Sequence, residues 1–216
     1  MKKLEVPYLP LLNRQSPLEE VAPELDNLEK NLLDNTPWAK YSYKPQVQFV
    51  LGYNHDCIFL KFYVDEEAVR AKFRNINDPV YKDSCVEFFI SFNGEENYYN
   101  LEFNCLGTCR LGFGASRENR QLLPEEFIRK IKHSVILQKT ALPNGERVTS
   151  WELTLLIPAE VFTQHAITTF QGINARGNFY KCGDELPRPH FVTWNNIYAP
   201  EPNFHLPEYF GGVQFV

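Results

Sequence analysis

Positive charge is in deficit. Lys and Arg number 22 against 27 Asp and Glu, for a formal net charge of −5. Such a balance suits nucleic acid poorly, because phosphates are neutralised by a basic surface. No apolar run reaches membrane-spanning length, so no transmembrane helix is expected. The start, Met1-Lys2-Lys3-Leu4-Glu5-Val6-Pro7, has lysines but no apolar stretch behind them, unlike a signal peptide. No Asn has Ser or Thr two residues on, so there is no N-glycosylation acceptor. Cysteines are five, an odd number. Cys57, Cys85, Cys105, Cys109 and Cys182 show no tight disulfide spacing, and five free thiols in a reduced interior are expected. These absences favour the cytoplasm, with neither nucleic acid nor membrane as partner. A chain whose leader had been removed would read the same way.

What is present is aromatic and apolar. Hydrophobic residues make up 44% and aromatics 14%, with 17 Phe and 11 Tyr against a single Met. That bias suits half-buried strands more than a helical bundle. At roughly 100–200 residues per domain, 216 residues make one domain with a peripheral segment. The first 37 residues carry Pro7, Pro10, Pro17 and Pro23, and an apolar set at helical spacing (Leu18, Val21, Leu25, Leu28, Leu32). They read as a lead-in with a short helix near 24–33, packing on a main body at 38–216. From residue 45 strands follow one another, over 47–51, 57–64, 84–92, 97–105, 108–114, 133–141, 147–157, 167–176, 190–194 and 212–216. Helical turns are expected at 65–73 and after Pro124. Turns fall at Asn54-His55-Asp56, Asn93-Gly94 and Pro143-Asn144-Gly145-Glu146, and 177–211 reads mostly as loop. Short strands at this spacing predict an all-β fold, a sandwich or a barrel.

The hairpin around Asn93-Gly94 carries the chemistry. Val86, Phe88, Ile90 and Phe92 share one face with Tyr99, Leu101, Phe103 and Cys105, which makes that face the core. The other face carries Glu87, Phe89 and Ser91 beside Tyr98, Asn100, Glu102 and Asn104. With a four-residue loop, paired numbers sum to 189 and Glu87 opposes Glu102. With a two-residue loop the sum is 187, and Glu102 becomes the diagonal neighbour of Glu87. Facing like charges cost about 0.2–1 kcal/mol in a sheet, so Arg176, a cation or ligand hydroxyls should compensate. A solvated outer face is the plain alternative.

Several stretches together resemble the carbohydrate-binding module family 9-like domains of the DOMON-like β-sandwich group. They are Tyr81–Ile90 (Tyr-Lys-Asp-Ser-Cys-Val-Glu-Phe-Phe-Ile), Tyr98–Gly107, Gly172–Arg176, Trp194-Asn195-Asn196 and the closing Phe204–Gly211 (Phe-His-Leu-Pro-Glu-Tyr-Phe-Gly). The likeness covers about residues 38–216. It implies a two-sheet antiparallel β-sandwich with short peripheral helices and a non-catalytic saccharide site. It implies no required cofactor, and it admits a structural calcium ion. It further implies that Trp194 and Tyr81 are two stacking rings, with Glu87, Glu102 and Asn174 as polar contacts and Asn104 and Arg176 nearby. Tyr81 stands where the family usually has Trp. Aromatic rings cover the C–H faces of a sugar, and carboxylates and amides meet its hydroxyls.

Other constellations carry less. Cys105 and Cys109, with Cys182 and His190, suggest zinc, but no second tight ligand pair exists and inert buried thiols are the favoured reading. Some relatives in the wider group hold haem through His and Met; Met1 offers no such ligand. No Gly-x-Ser-x-Gly elbow is present. Glu87 and Glu102 could act as a glycosidase pair, and a sandwich that has lost its sugar site is the remaining alternative. Trp151 alternates with Leu153, Leu155 and Ile157, and it reads as core, as does Trp38.

Overall fold

The computed structural model describes residues 1–141 and 147–216. In chain order its elements are β1 (Lys3–Val6), α1 (Leu18–Asp26), β2 (Asn31–Leu32), β3 (Gln46–Asn54), β4 (Cys57–Glu66), β5 (Cys85–Ser91), β6 (Tyr98–Asn104), β7 (Cys109–Gly114), β8 (Arg120–Leu122), α2 (Glu125–Ile128), β9 (Lys132–Ala141), β10 (Arg147–Pro158), β11 (Asn174–Cys182), β12 (Phe191–Thr193) and β13 (Gly211–Phe215). Two sheets form a sandwich. One runs β1-β13-β11-β5-β6-β7-β8, with β12 taking the other half of the β11 edge that β13 uses; the second runs β2-β3-β4-β10-β9. Among the described strands every ladder is antiparallel except β1 with β13.

Strand alternation builds the core as the sequence predicts. Val86, Phe88, Ile90, Leu101 and Phe103 are all fully buried between the sheets. Phe179 of β11 stacks on Phe49 of the facing sheet, with ring centroids 3.7 Å apart, and on Phe88 at 4.7 Å. Such pairs add about 0.5–1.5 kcal/mol to the area they bury. The β5–β6 ladder runs with Glu87 opposite Glu102. The tip closes one step tighter, through Glu95 N–H to Phe92 O, with Asn93 and Gly94 at φ +54° and +72°. That is the left-handed pair an Asn-Gly hairpin turn requires. The two-residue difference between tip and ladder leaves the faces unchanged.

Several local expectations shift. The helix spans 18–26 rather than 24–33. It begins after Pro17, buries Val21 and Leu25, and carries Pro23 on its exposed side. It ends there because Asn31–Leu32 must extend to pair with β3. The segment 65–73 is not helical: β4 runs on to Glu66, and beyond it the Lys72 and Phe73 N–H groups donate to the buried Asp83 carboxylate, 3.1 and 3.0 Å away. β11 spans 174–182, later than read. Gly177 is tolerated inside it because a Cβ there would meet Phe89 O at 2.6 Å. The turn expected at Pro143–Glu146 lies outside the described residues.

Both sheets are also covered on their outer faces. α1 lays Val21 and Leu25 over Val50, Phe59 and Leu156 of the five-stranded sheet. Over the eight-stranded sheet, Trp38, Ile197, Phe204 and Phe210 pack on Phe89, Tyr98 and Tyr180. This second cover decides where a ligand can enter.

Candidate functional site

The outer face of β5 and β6 is buried, not solvated. Glu87 is 3% exposed and Glu102 4%, and they sit directly across from each other. On its other side Glu102 opposes Arg110 of β7. Arg120 of β8 lies over the Tyr98 ring at 4.7 Å and bonds the Asn100 carboxamide, whose N–H donates in turn to Glu102 Oε1. Of the compensation expected from Arg176, a cation or ligand hydroxyls, Arg110 and Arg120 rather than Arg176 supply the protein's own part.

These groups meet in a half-open cleft of about 170 Å³, where the cover of residues 195–210 stops short. Its polar wall includes Glu87, Glu102, Arg110, Arg120, Asp184 and His205; its aromatic wall is Tyr81, Phe191 and Phe204. Two wider grooves, about 600 and 860 Å³, run past Gln46 and Ser150, but neither is walled by two buried carboxylates. In the cleft Glu102 Oε2 and Arg120 Nη2 are buried and lack partners, and polar groups in that state cost stability until a ligand or water meets them.

The electrostatics follow from burial. It pushes the Glu87 carboxyl well above its usual range, with Glu102 adding to the shift. Burial raises Glu102 to about 7, against the opposing pull of Arg110, Asn100 and Arg120. Asp184 is raised to about 6, again by burial. His205 is held down at about 3 by burial and then by Arg120, and it shares a hydrogen bond with Tyr98 OH. The cleft thus offers three carboxyls shifted toward their protonated form, Glu87, Glu102 and Asp184, beside the guanidinium groups of Arg110, Arg117 and Arg120. That is a mixed donor and acceptor lining of the kind hydroxyl groups use.

Of the seven residues singled out from the sequence, the structure gathers Tyr81, Glu87 and Glu102. Tyr81 is half-buried on a tight turn at Val80–Lys82. Trp194 is not a cleft residue. In the β11–β12 register paired numbers sum to 373, so Trp194 falls beside inward-facing Phe179, and its N–H bonds Phe179 O. Its ring packs edge-on to Phe49 and Phe179 and is 2% exposed. The same register turns Phe191, opposite Cys182, toward the cleft. Asn104 is consumed internally: it donates to Phe73 O and Asp83 and accepts from Leu106 and Thr108 N–H. Asn174 and Arg176 share the face of Tyr180 but stand six and four residues along β11, about 20 and 13 Å at strand rise. Arg176 donates to Pro207 O. Arg110 joins the cleft too, since alternation from Cys109 turns it outward beside Glu102.

All five cysteines are buried free thiols. Among the described residues, the one cluster of three His, Cys, Asp or Glu ligand atoms is Cys85, Glu87 and Cys182. Calcium takes six to eight oxygens, so this sulfur-rich set does not fit the calcium ion admitted above. No described helix is long and apolar enough to cross a membrane.

Comparison with known proteins places the fold. A crystal structure of a candidate carbohydrate-binding protein from Bacteroides uniformis is 35% identical, with a TM-score of 0.89 over 100% of this chain and 99% of that one. A carbohydrate-binding module of family 9 from Caldicellulosiruptor kristjanssonii, in complex with glucose, shares the fold at 12% identity and TM-score 0.57, covering 100% of this chain and 96% of that one. A complex of such a module from the same organism with cellotriose gives 12% and 0.54, with coverage of 99% and 93%. No curated protein matches. The sequence model of carbohydrate-binding family 9 matches residues 19–215, and the chain belongs to that family.

Proposed function

We propose that the cleft binds a saccharide, one ring or the end of a chain, without chemical change. The observation that carries this reading is the pair of unpartnered buried atoms, Glu102 Oε2 and Arg120 Nη2, in a cleft with aromatic sides. Vicinal hydroxyls can accept from the guanidinium and donate to the carboxylate together, while a ring face lies on Tyr81 or Phe191. The glucose and cellotriose complexes of the two fold relatives support the ligand class.

Binding is favoured over hydrolysis by the family match, which is to a carbohydrate-binding family over residues 19–215. The test is a screen of mono- and oligosaccharides by calorimetry, followed by chromatography of the incubated sugars. Saturable binding with the sugars recovered intact is the expected result. Cleavage products would return the glycosidase reading, and no binding to any sugar would leave a sandwich that has lost its ligand.

A further inference from the structure

We propose that Cys85, Glu87 and Cys182 form a binding site for a zinc-class, thiophilic divalent cation at the floor of the cleft. Cys85 on β5 and Cys182 on β11 are direct cross-strand partners. Glu87, two residues after Cys85, projects from the same face, and its Oε1 accepts from Cys182 Sγ at 3.1 Å. The three ligand atoms all lie within 4.8 Å of one another. Tetrahedral zinc, with Zn–S near 2.3 Å and Zn–O near 2.0–2.2 Å, sets its ligands roughly 3.5–3.8 Å apart. Side-chain adjustment of about 1 Å or less closes the set.

Three independent features suit a cation there. Cys85, Glu87 and Cys182 are 0, 3 and 1% exposed, so a bound ion would be shielded from bulk water. Glu87 and Cys182 nevertheless line the cleft, which gives the ion a path in. Across the ladder from Glu87, the buried Glu102 Oε2 has no partner and faces the same cleft, an acceptor in want of a positive charge or a donor. Two thiolates and a carboxylate carry −3 against +2 for the ion, and the nearby Arg120 cation offsets the remainder. Two sulfurs with one oxygen select a borderline or soft metal and reject magnesium and calcium.

The site stands whether or not the cleft takes a sugar, because its test contains none. The reduced full chain, stripped of metal, is titrated with Co²⁺ and then Zn²⁺. One equivalent of Co²⁺ should give thiolate-to-metal charge-transfer absorption, and Zn²⁺ should displace it. Cys85→Ser and Cys182→Ser should each abolish the band, and Glu87→Gln should weaken binding at least tenfold. Cys57→Ser, whose thiol lies under α1 on the other sheet, should leave it intact. Should the serine variants not fold, X-ray absorption on the zinc-loaded wild type decides, with two sulfur neighbours near 2.3 Å expected. Absence of the band, a coordination shell without sulfur, or only three titratable thiols in the unreduced protein would each overturn the proposal.

Discussion

Trp194 and Phe191 lie three residues apart, and one register assigns them opposite fates. Trp194 fills space between the sheets against Phe49 and Phe179. Trp194→Ala should therefore cost about 3–5 kcal/mol of stability by urea denaturation. Phe191 is only half-buried, at the cleft wall; Phe191→Ala should cost far less stability while weakening saccharide affinity about tenfold, or about 1.4 kcal/mol. His190 permits a pH prediction. Its Nε2 accepts from Lys181 Nζ at 2.8 Å, so Nδ1 carries the proton and donates to Arg188 O. Burial first, then Lys181, lowers its pKa from 6.5 to about 3. The unfolded chain takes up this proton near pH 6.5, whereas the folded one resists until about 3. The contribution is whole above pH 6.5 and is lost as pH falls toward 3. Between pH 7 and 4.5, the wild-type urea midpoint should fall more than that of His190→Gln, and equal slopes would contradict the assignment.

Among the elements, the β5–β6 hairpin was the most legible. Its alternation named both faces, and the facing of Glu87 and Glu102 was one of two registers in view. What escaped was long-range. No local signal fixes how β12 pairs with β11 across residues 183–190, so the parity of Trp194 could not be read. Asp83 lies ten residues from the Phe73 N–H it captures, so 65–73 looked helical. Lys181 was likewise invisible as a core residue. Its Nζ lies 2.9 Å from Glu66 Oε2, both side chains being fully buried, while Glu66 Oε1 accepts from Trp151 Nε1. This ion pair ties β11 to the facing sheet. Lys181→Met alone should destabilise by about 3–5 kcal/mol, because it strands a buried carboxylate. Lys181→Met with Glu66→Gln should recover part of that loss in a double-mutant cycle; purely additive losses would show that the pair is not coupled.

For the whole molecule, the decisive feature is the second cover. A sandwich needs only its inner faces buried, and here the outer face of the eight-stranded sheet is also roofed, except at the cleft. The roof comes from residues 195–210 and Trp38, which explains why Asn174 and Arg176, on the same face, are cut off from Glu87. It also turns two carboxyls of an ordinary strand pair into buried groups whose pKa values burial raises. Their neighbours Arg110 and Arg120, with Tyr81 and Phe191, complete the lining of the proposed site.

Calorimetric titration of glucose and cellotriose into wild type, Tyr81→Ala, Arg120→Ala and Trp194→Phe tests the central claim most directly. The account predicts one saturable site in wild type. Tyr81→Ala and Arg120→Ala should each weaken it tenfold or more, and Trp194→Phe should leave affinity unchanged while lowering stability. Affinity lost in Trp194→Phe but retained in both cleft variants would contradict the placement of the site in this cleft.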